Sequence, residues 1–213
     1  VGRDVTKLFN VLSGYAIETN YNRLLVAPEG LRQGLLTRIE REAEHARAGR
    51  PSGIKLKANS MVDEQIIDAL YRASNAGVPI EIWIRGICSI KAGVPGLSEN
   101  IRVRSVLGRY LEHSRIYAFE NAGDREVYIG SADLMHRNLD RRIEVLARIV
   151  DREHLARIDR FFAYGFSDDV SSWHMLPDGT WRRRTVTEEG EPLHDLQDLV
   201  MRDRTQARSR AAR

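Results

Sequence analysis

Short apolar runs alternate with amphipathic stretches through the first half of the chain. Runs of buried or alternating apolar residues predict three strands, at residues 24–27, 54–59 and 80–84. Between them, apolar residues recur every three to four positions over 31–46 and 62–71, which is typical of amphipathic helices. This alternation of strand and helix predicts parallel strands joined by right-handed crossovers.

Helix starts can be predicted from polar residues that precede the apolar periodicity. Ser60 and Asp63 resemble a capping box, in which we expect Ser60 to accept hydrogen bonds from the first free amides. Asp151 is predicted to cap a later helix that carries Leu155 and Ile158 on its apolar side.

The second half of the chain has closely spaced apolar runs with short turns. These runs predict four more strands in the same sheet, at residues 101–106, 115–119, 127–129 and 143–150. Beyond Gly165 the pattern weakens, so we expect an irregular C-terminal arm and a disordered Arg-rich end. The predicted fold class is α/β, with a mixed, mainly parallel sheet flanked by helices.

Charge is distributed unevenly along the 213 residues. Residues 202–213 hold five arginines and one aspartate, so this segment supplies +4 while the whole chain has a net charge of +3. The remaining body therefore carries −1, which argues against a basic groove for duplex nucleic acid. A chain of this length can bury one sizeable core.

Several classes of protein are excluded by what the sequence lacks. No apolar run is long enough for a membrane-spanning helix, and the first residues lack a signal-peptide pattern. The single cysteine, Cys88, excludes an internal disulfide and favours a cytoplasmic setting. No P-loop motif and no zinc-type Cys/His spacing occurs. Because the first residue is not methionine, we expect a piece of a longer protein.

His113 is the first candidate for chemistry. Imidazole can act as a nucleophile or carry a proton near neutral pH. Arg115 would share a strand face with His113 and could hold a phosphoryl group by two parallel hydrogen bonds. Glu120 is spaced to orient a ring nitrogen, and Gly130-Ser131 could let an anion approach backbone amides.

Other candidates lie near the ends of predicted strands. Arg85 follows the strand at 80–84, and open α/β sheets bind ligands at the carboxyl ends of their strands. Lys57 and Asn59 share a strand face and could rim the same site, while an ordinary surface ion pair is the alternative for Arg85. His136 and Arg137 could line the same cleft, whereas Cys88 is interpreted as a buried apolar residue.

Two resemblances add to these patterns. His113-Ser-Arg115, then Glu120, then Gly130-Ser131 resembles the His-x-Lys, acid, Gly-Ser signature of the phospholipase D superfamily, with arginine in place of lysine and a longer spacer. Over residues 24–169 the chain also resembles the C-terminal part of the histidine-phosphorylated bacterial polyphosphate kinases. The matching segments are PSGIKLK, RGICSI, GLSENIRVRS, YLEHSRIY and RNLDRRIEV.

The second resemblance implies a phospholipase D-like fold and a reversible transfer of the ATP γ-phosphate to polyphosphate. The phosphorylated histidine of that family would lie upstream of this chain, as would most ligands of the Mg²⁺ cofactor. His113 matches a second family histidine that acts as an acid/base and phosphate contact, and Arg85 and Arg142 match phosphate-binding arginines. Supporting roles are expected for Arg115, Glu120, Ser131 and Glu144.

The resemblance also implies a domain organisation and a set of partners. Residues 1–22 would end an upstream domain, 23–170 would form the catalytic domain, and 171–213 would be the arm and Arg-rich tail. We expect ATP or ADP, polyphosphate, the upstream domains and further copies of the protein as partners, with no nucleic acid and no integral membrane segment. The expected location is cytoplasmic, with a peripheral position at the membrane left open.

Two alternatives remain open from the sequence. The chain could be a phospholipase D-type phosphodiesterase or nuclease that acts as a dimer, which predicts activity of this chain alone. It could also be a noncatalytic domain that binds polyphosphate or assembles subunits, which predicts no effect of His113 on turnover. As the C-terminal part of a kinase, the isolated chain is expected to be inactive.

Overall fold

A computed structural model describes residues 1–17 and 20–211 of the chain. Within them, nine strands are β1 Leu24–Val26, β2 Ile54–Ala58, β3 Ile80–Ile84, β4 Ile101–Ser105, β5 Ile116–Phe119, β6 Glu126–Gly130, β7 Val145–Ile149, β8 Ser172–Met175 and β9 Trp181–Arg184. Six α-helices are α1 Gly2–Leu12, α2 Leu31–Arg47, α3 Glu64–Asn75, α4 His136–Asp140, α5 Arg152–Gly165 and α6 Leu196–Ala211.

All nine strands belong to one sheet in the order β1-β7-β6-β5-β2-β3-β4-β8-β9. The predicted α/β class is confirmed, but the prediction of a mainly parallel sheet is wrong. Only the β2–β3 and β3–β4 ladders are parallel, and the other six are antiparallel. Short connections such as the one between β5 and β6 are too brief for a parallel crossover, so they impose antiparallel pairing.

The strands at the centre of the sheet bring several strand ends together at one edge. Strands β2 and β3 run parallel with α3 as their crossover, as predicted, so their carboxyl ends lie side by side. The antiparallel strands β5 and β7 begin at this same edge, and β6 ends there. We call this edge, which collects the ends of β2, β3 and β6 and the starts of β5 and β7, the upper edge.

Helices cover both faces of the sheet. Buried residues of α2 and α3 form the main core on one face, and α5 and α6 pack on the other. On the second face, the Trp83 ring lies 5.0 Å from the Phe161 ring, and the Lys57 ammonium lies 4.7 Å from the Trp83 centroid. A Cβ at Gly165 would collide with the same indole, so this glycine allows α5 to lie close to β3.

Helix caps were predicted with mixed success. Asp151 accepts hydrogen bonds from the amides of Glu153 and His154, so its capping role is confirmed. Ser60 does not cap α3, because the cap is Asp63, whose carboxylate accepts from the Ile66 amide. The chain is still extended past Ser60, since Met61 makes β-bridges to two other segments.

The C-terminal part is more regular than the sequence predicted. Strands β8 and β9 form a hairpin that extends the sheet from β4, so the expectation of an irregular arm is wrong. Helix α6 continues to residue 211, which corrects the prediction of disorder for the described part of the Arg-rich segment. Its first turns are held by Leu196, Leu199 and Val200, which pack against the cluster around Trp83. Residues 212–213 lie outside the described residues.

A buried ionic network joins α2 to the sheet. The Glu126 carboxylate accepts hydrogen bonds from Arg38 Nε at 2.8 Å, Arg41 Nη1 at 3.0 Å and the Tyr128 hydroxyl at 2.8 Å. Burial raises the pKa of Glu126, but the Tyr128 hydrogen bond and the charges of Arg38 and Arg41 outweigh it and lower the pKa to about 2.

We expect Glu126→Gln to weaken the dependence of the free energy of unfolding on pH below pH 6. Because the folded pKa is below the ordinary value of 4.5, the charged network stabilises the protein above pH 4.5 and loses that effect as the pH falls towards 2. Urea unfolding between pH 6 and pH 3 measures this. The free energy of unfolding should fall less steeply with pH in the variant, and parallel pH profiles for the two proteins would contradict the role of Glu126.

Candidate functional site

Three predicted residues meet at the upper edge of the sheet. Arg85 follows β3, Asn59 follows β2, and His113 precedes β5. The Asn59 side-chain oxygen lies 3.1 Å from Arg85 Nε and 3.0 Å from His113 Nδ1, and Arg85 Nη2 lies 3.3 Å from the same ring nitrogen. The structure therefore brings Arg85 and His113 together, with Asn59 between them.

The orientation of the Asn59 amide determines the state of the imidazole. Its nitrogen donates to Asp133 Oδ1 at 3.1 Å, so its oxygen faces Arg85 and His113. This oxygen can only accept and lies 3.0 Å from Nδ1, closer than the donor Arg85 Nη2 at 3.3 Å, so the contacts favour a neutral imidazole with its hydrogen on Nδ1. The lone pair is then on Nε2, which is the atom available to a ligand or a proton.

The charges around His113 favour its neutral form. The side chain is exposed, yet partial desolvation and the positive charges of Arg115 and Arg85 lower the pKa of His113 below its ordinary 6.5, while Asp133 acts in the opposite direction. At neutral pH the ring is therefore mostly unprotonated and able to accept a proton. The guanidinium groups remain charged and attract anions.

Asp133 holds the site together and was missed by the sequence analysis. Its carboxylate accepts the Asn59 amide at 2.7 Å and the Arg115 Nη2 at 3.0 Å, and the residue is only 6% exposed. Burial raises the pKa of Asp133, but the hydrogen bonds from Arg115 and Asn59 outweigh it, so the carboxylate stays charged. The only signal in the sequence is its place just after β6.

Arg115 has a different role from the predicted one. Its guanidinium binds Asp133 and also donates from Nη1 to the His113 carbonyl at 2.9 Å. It therefore fixes the backbone of His113 and contributes charge, while its two outer nitrogens are engaged within the protein.

The buried Lys57 side chain holds the segment that carries His113. The side chain is 2% exposed, and its ammonium donates to the Ser114 carbonyl at 2.9 Å and pairs with Glu112 at 3.2 Å. Burial lowers the pKa of Lys57, which Glu112 partly offsets. Both neighbours of His113 in the chain are thus held by one buried lysine.

Gly130 and Ser131 do not offer free amides to an anion, which corrects that expectation. The Gly130 amide donates to the Arg115 carbonyl at 3.3 Å, and the Ser131 amide donates to the Val145 carbonyl at 3.1 Å. The Ser131 hydroxyl accepts from the Val145 amide at 3.2 Å. Gly130 is needed for close packing, because a Cβ there would run into the Val145 carbonyl.

Glu120 lies at the opposite edge of the sheet from His113. Its amide bonds to the Gly53 carbonyl, before the start of β2, whereas His113 bonds to Asn59, after the end of β2. Five strand residues separate these points, or roughly 17 Å. The prediction that Glu120 orients the imidazole is therefore wrong, and Asn59 contacts the ring instead.

Arg142 lies at the upper edge of the sheet, just before β7. Its side chain is 53% exposed, and Nη1 is 4.0 Å from the Glu144 carboxylate, which itself accepts from Asn138 at 2.6 Å. Arg142 precedes β7, which is two strands from β5 and three from β2, or roughly 10 Å along the edge from the start of β5. The expected meeting of Arg85, His113 and Arg142 around one group stays a prediction.

Three further candidates, His136, Arg137 and Cys88, differ in their surroundings. His136 Nε2 lies 2.7 Å from Glu64, and Arg137 is exposed on α4. Cys88 is half-buried, and burial raises the pKa of its thiol to about 11, so it is a poor nucleophile at neutral pH.

The described residues provide no cluster of three or more His, Cys, Asp or Glu that could hold a metal ion. The two acids nearest the imidazole, Asp133 and Glu112, are paired with Arg115 and Lys57. In the same part of the chain, no helix has the length and apolar character needed to cross a membrane. The upper edge is thus suited to binding oxyanions and to exchanging a proton at Nε2.

Comparisons with known proteins agree on one family. The model of a family described as polyphosphate kinase C-terminal domain 2 matches residues 24–197. A polyphosphate kinase of Streptomyces coelicolor is 56% identical over 211 residues, which cover 99% of this chain and 28% of that protein. This chain therefore spans less than a third of the curated relative it matches.

Solved structures give the same result. The crystal structure of polyphosphate kinase from Porphyromonas gingivalis matches with a TM-score of 0.89 and 34% identity, over 96% of this chain and 31% of that one. NucT from Helicobacter pylori matches with a TM-score of 0.50 and 17% identity, over 68% of this chain and 94% of that one. The second likeness shows a related fold and nothing more.

Proposed function

Because this chain belongs to the polyphosphate kinase family through its C-terminal domain, we propose that it supplies part of a site for reversible transfer of the ATP γ-phosphate to polyphosphate. The proposal places the phosphate chain at the upper edge, over Arg85 and His113. A phosphohistidine intermediate would form on a residue upstream of this chain, which makes the isolated chain inactive by itself.

A single observation carries the proposal. The Asn59 oxygen holds both the Arg85 guanidinium and the His113 imidazole, at 3.1 and 3.0 Å, at the carboxyl ends of adjacent parallel strands. A neutral imidazole with Nε2 free thus lies beside a permanent positive charge at the edge where open α/β sheets bind ligands.

The chemistry assigned to these residues is limited and specific. Phosphoryl transfer requires mainly positioning and the stabilisation of negative charge, which Arg85 can supply by its two outer nitrogens. His113 Nε2 can accept a proton from a protonated phosphate oxygen and return it in the reverse reaction. Arg142, at the start of β7 and two strands from β5, would contact another phosphate of the same chain.

Mg²⁺ belongs to the proposal as a companion of the nucleotide. It would neutralise phosphate charge, and its protein ligands are expected in the upstream domains, since the described residues offer no fitting cluster. A cytoplasmic location, further copies of the protein and the upstream domains as partners are part of the same proposal, as is the division of the chain at residues 22 and 170.

Synthesis from labelled ATP tests the proposal. A full-length kinase that carries this chain as its C-terminal region, given γ-labelled ATP and Mg²⁺, should place the label in polyphosphate, whereas the isolated chain should not. Release of label from a phosphodiester substrate by the isolated chain would favour a phosphodiesterase instead. A full-length protein that binds polyphosphate but never transfers phosphate would favour the noncatalytic alternative.

A further inference from the structure

A cavity of about 290 Å³ opens between the start of β5 and helices α5 and α6. Its floor is apolar and includes Ile116 and Phe161. Its rim is charged, with three arginines from two helices, namely Arg157, Arg160 and Arg204. We call this cavity the helical pocket.

The charges of the helical pocket do not cancel locally. Two acids also line it, but Glu112 is paired with Lys57 at 3.2 Å, and Asp203 lies 3.8 Å from Arg160. Arg157 and Arg204 form no ion pair with any side chain that the structure describes. Two guanidinium groups are therefore left to attract an anion from solution.

The helical pocket borders the segment that carries His113. Glu112 and Ser114, which flank His113 in the chain, both line it. Beyond Arg204, the sequence continues with three more arginines up to residue 213.

We propose that the helical pocket is a subsite for the polyphosphate chain, which would pass from His113 into the space between α5 and α6. This inference rests on the proposed function and names the polymer, rather than the nucleotide, as the ligand of the pocket. A single arginine contact in water is weak, but several contacts to one chain add, because each additional contact forms within an already bound molecule.

The geometry separates the two substrates. ATP ends at its γ-phosphate, which the proposed function places at Arg85 and His113, so ATP does not need the helical pocket. A long polymer must leave the site by some route, and a basic cavity bordering the segment that carries His113 provides one. The pocket should therefore affect how tightly the polymer is held and how long it grows.

The test uses the full-length kinase with Arg157→Gln, Arg160→Gln and Arg204→Gln combined. In the reverse reaction, the KM for long-chain polyphosphate should rise about tenfold, which corresponds to roughly 1.4 kcal/mol, while the KM for ADP stays unchanged. In the forward reaction, the product chains should become shorter on a gel. Raising the salt concentration should reduce the difference between wild type and variant, because salt screens exposed charges.

A matched triple variant controls for the loss of three positive charges. Arg47 ends α2, Arg50 lies in the connection from α2 to β2, and Arg72 is in α3. All three are exposed and none lines the helical pocket, so their replacement by glutamine should leave chain length and both KM values unchanged. If the pocket variant unfolds at a lower temperature, Arg157→Gln alone serves, with a rise of about two- to threefold in the KM for polyphosphate.

The outcomes separate the inference from the function on which it rests. A wild-type enzyme that makes polyphosphate, with a pocket variant that keeps the chain length and the KM for polyphosphate, overturns the subsite and leaves the kinase intact. An equal rise in the KM for ADP also overturns it, because the pocket would then not be specific for the polymer. A full-length protein that makes no polyphosphate overturns both.

Discussion

Replacing His113 with alanine should lower the rate of polyphosphate synthesis by a factor of about 10² to 10⁴, the range expected when a general acid–base group is removed. The reason lies in the geometry of the ring. Asn59 holds Nδ1 at 3.0 Å, and partial desolvation and the neighbouring arginines lower the pKa of His113, so the neutral imidazole keeps Nε2 for the proposed phosphate. Alanine removes this proton acceptor and leaves Arg85 in place, so the KM for ATP should change less than kcat.

The experiment compares full-length His113→Ala with His154→Ala, both incubated with labelled ATP and Mg²⁺. His154 is an exposed histidine in the first turn of α5, and its imidazole lies 3.6 Å from the Asp151 carboxylate. The control should therefore keep wild-type synthesis. Unchanged synthesis by His113→Ala would exclude this imidazole from the mechanism.

Asp133→Ala should destabilise the folded chain by about 3–5 kcal/mol, the usual result of removing one partner of a buried ion pair. Among the described residues, the Asp133 carboxylate is the only negative charge that contacts Arg115. It also accepts hydrogen bonds from the backbone amide and the side chain of Asn59. Without it, a mostly buried guanidinium and an asparagine amide lose their acceptor.

Urea unfolding of the wild type, Asp133→Ala and Asp159→Ala measures this effect. Asp159 pairs with Arg125 near the surface, so its removal should cost less than about 1 kcal/mol. Equal losses for the two variants would show that the network around Asp133 contributes no more than a surface pair. If the network acts as described, Asp133→Ala should also raise the KM for ATP, because Asn59 no longer holds Arg85 in place.

Local patterns predicted the parallel centre of the sheet and the position of Arg85 at its edge. The apolar runs and the intervening helix were sufficient to place β2, α3 and β3, and Arg85 followed from its position after β3. The resemblance to a known family then connected Arg85 with His113. These predictions succeeded because each depends on residues that are close in sequence or on a strand end whose position follows from its topology.

Long-range pairing explains what the sequence could not predict. Asp133 reaches Asn59 because the chain after β6 bridges to the chain after β2, where Leu134 pairs with Met61. No spacing in the sequence encodes this contact between segments more than seventy residues apart. Glu120 was assigned to His113 because the two are close along the chain, but β5 lies between them and places them at opposite edges.

The close packing of α5 against β3 affects which mutations a screen for altered activity would recover. Any side chain at Gly165 would displace the Trp83 indole, which lies against the Lys57 ammonium, and Lys57 in turn holds the peptide next to His113. A screen for mutants with altered turnover would therefore recover changes at Gly165, on the far side of an aromatic ring from any phosphate. A map of sensitive positions drawn from such a screen would mark Gly165 as functionally important, although its close contact in the fold is with the Trp83 indole.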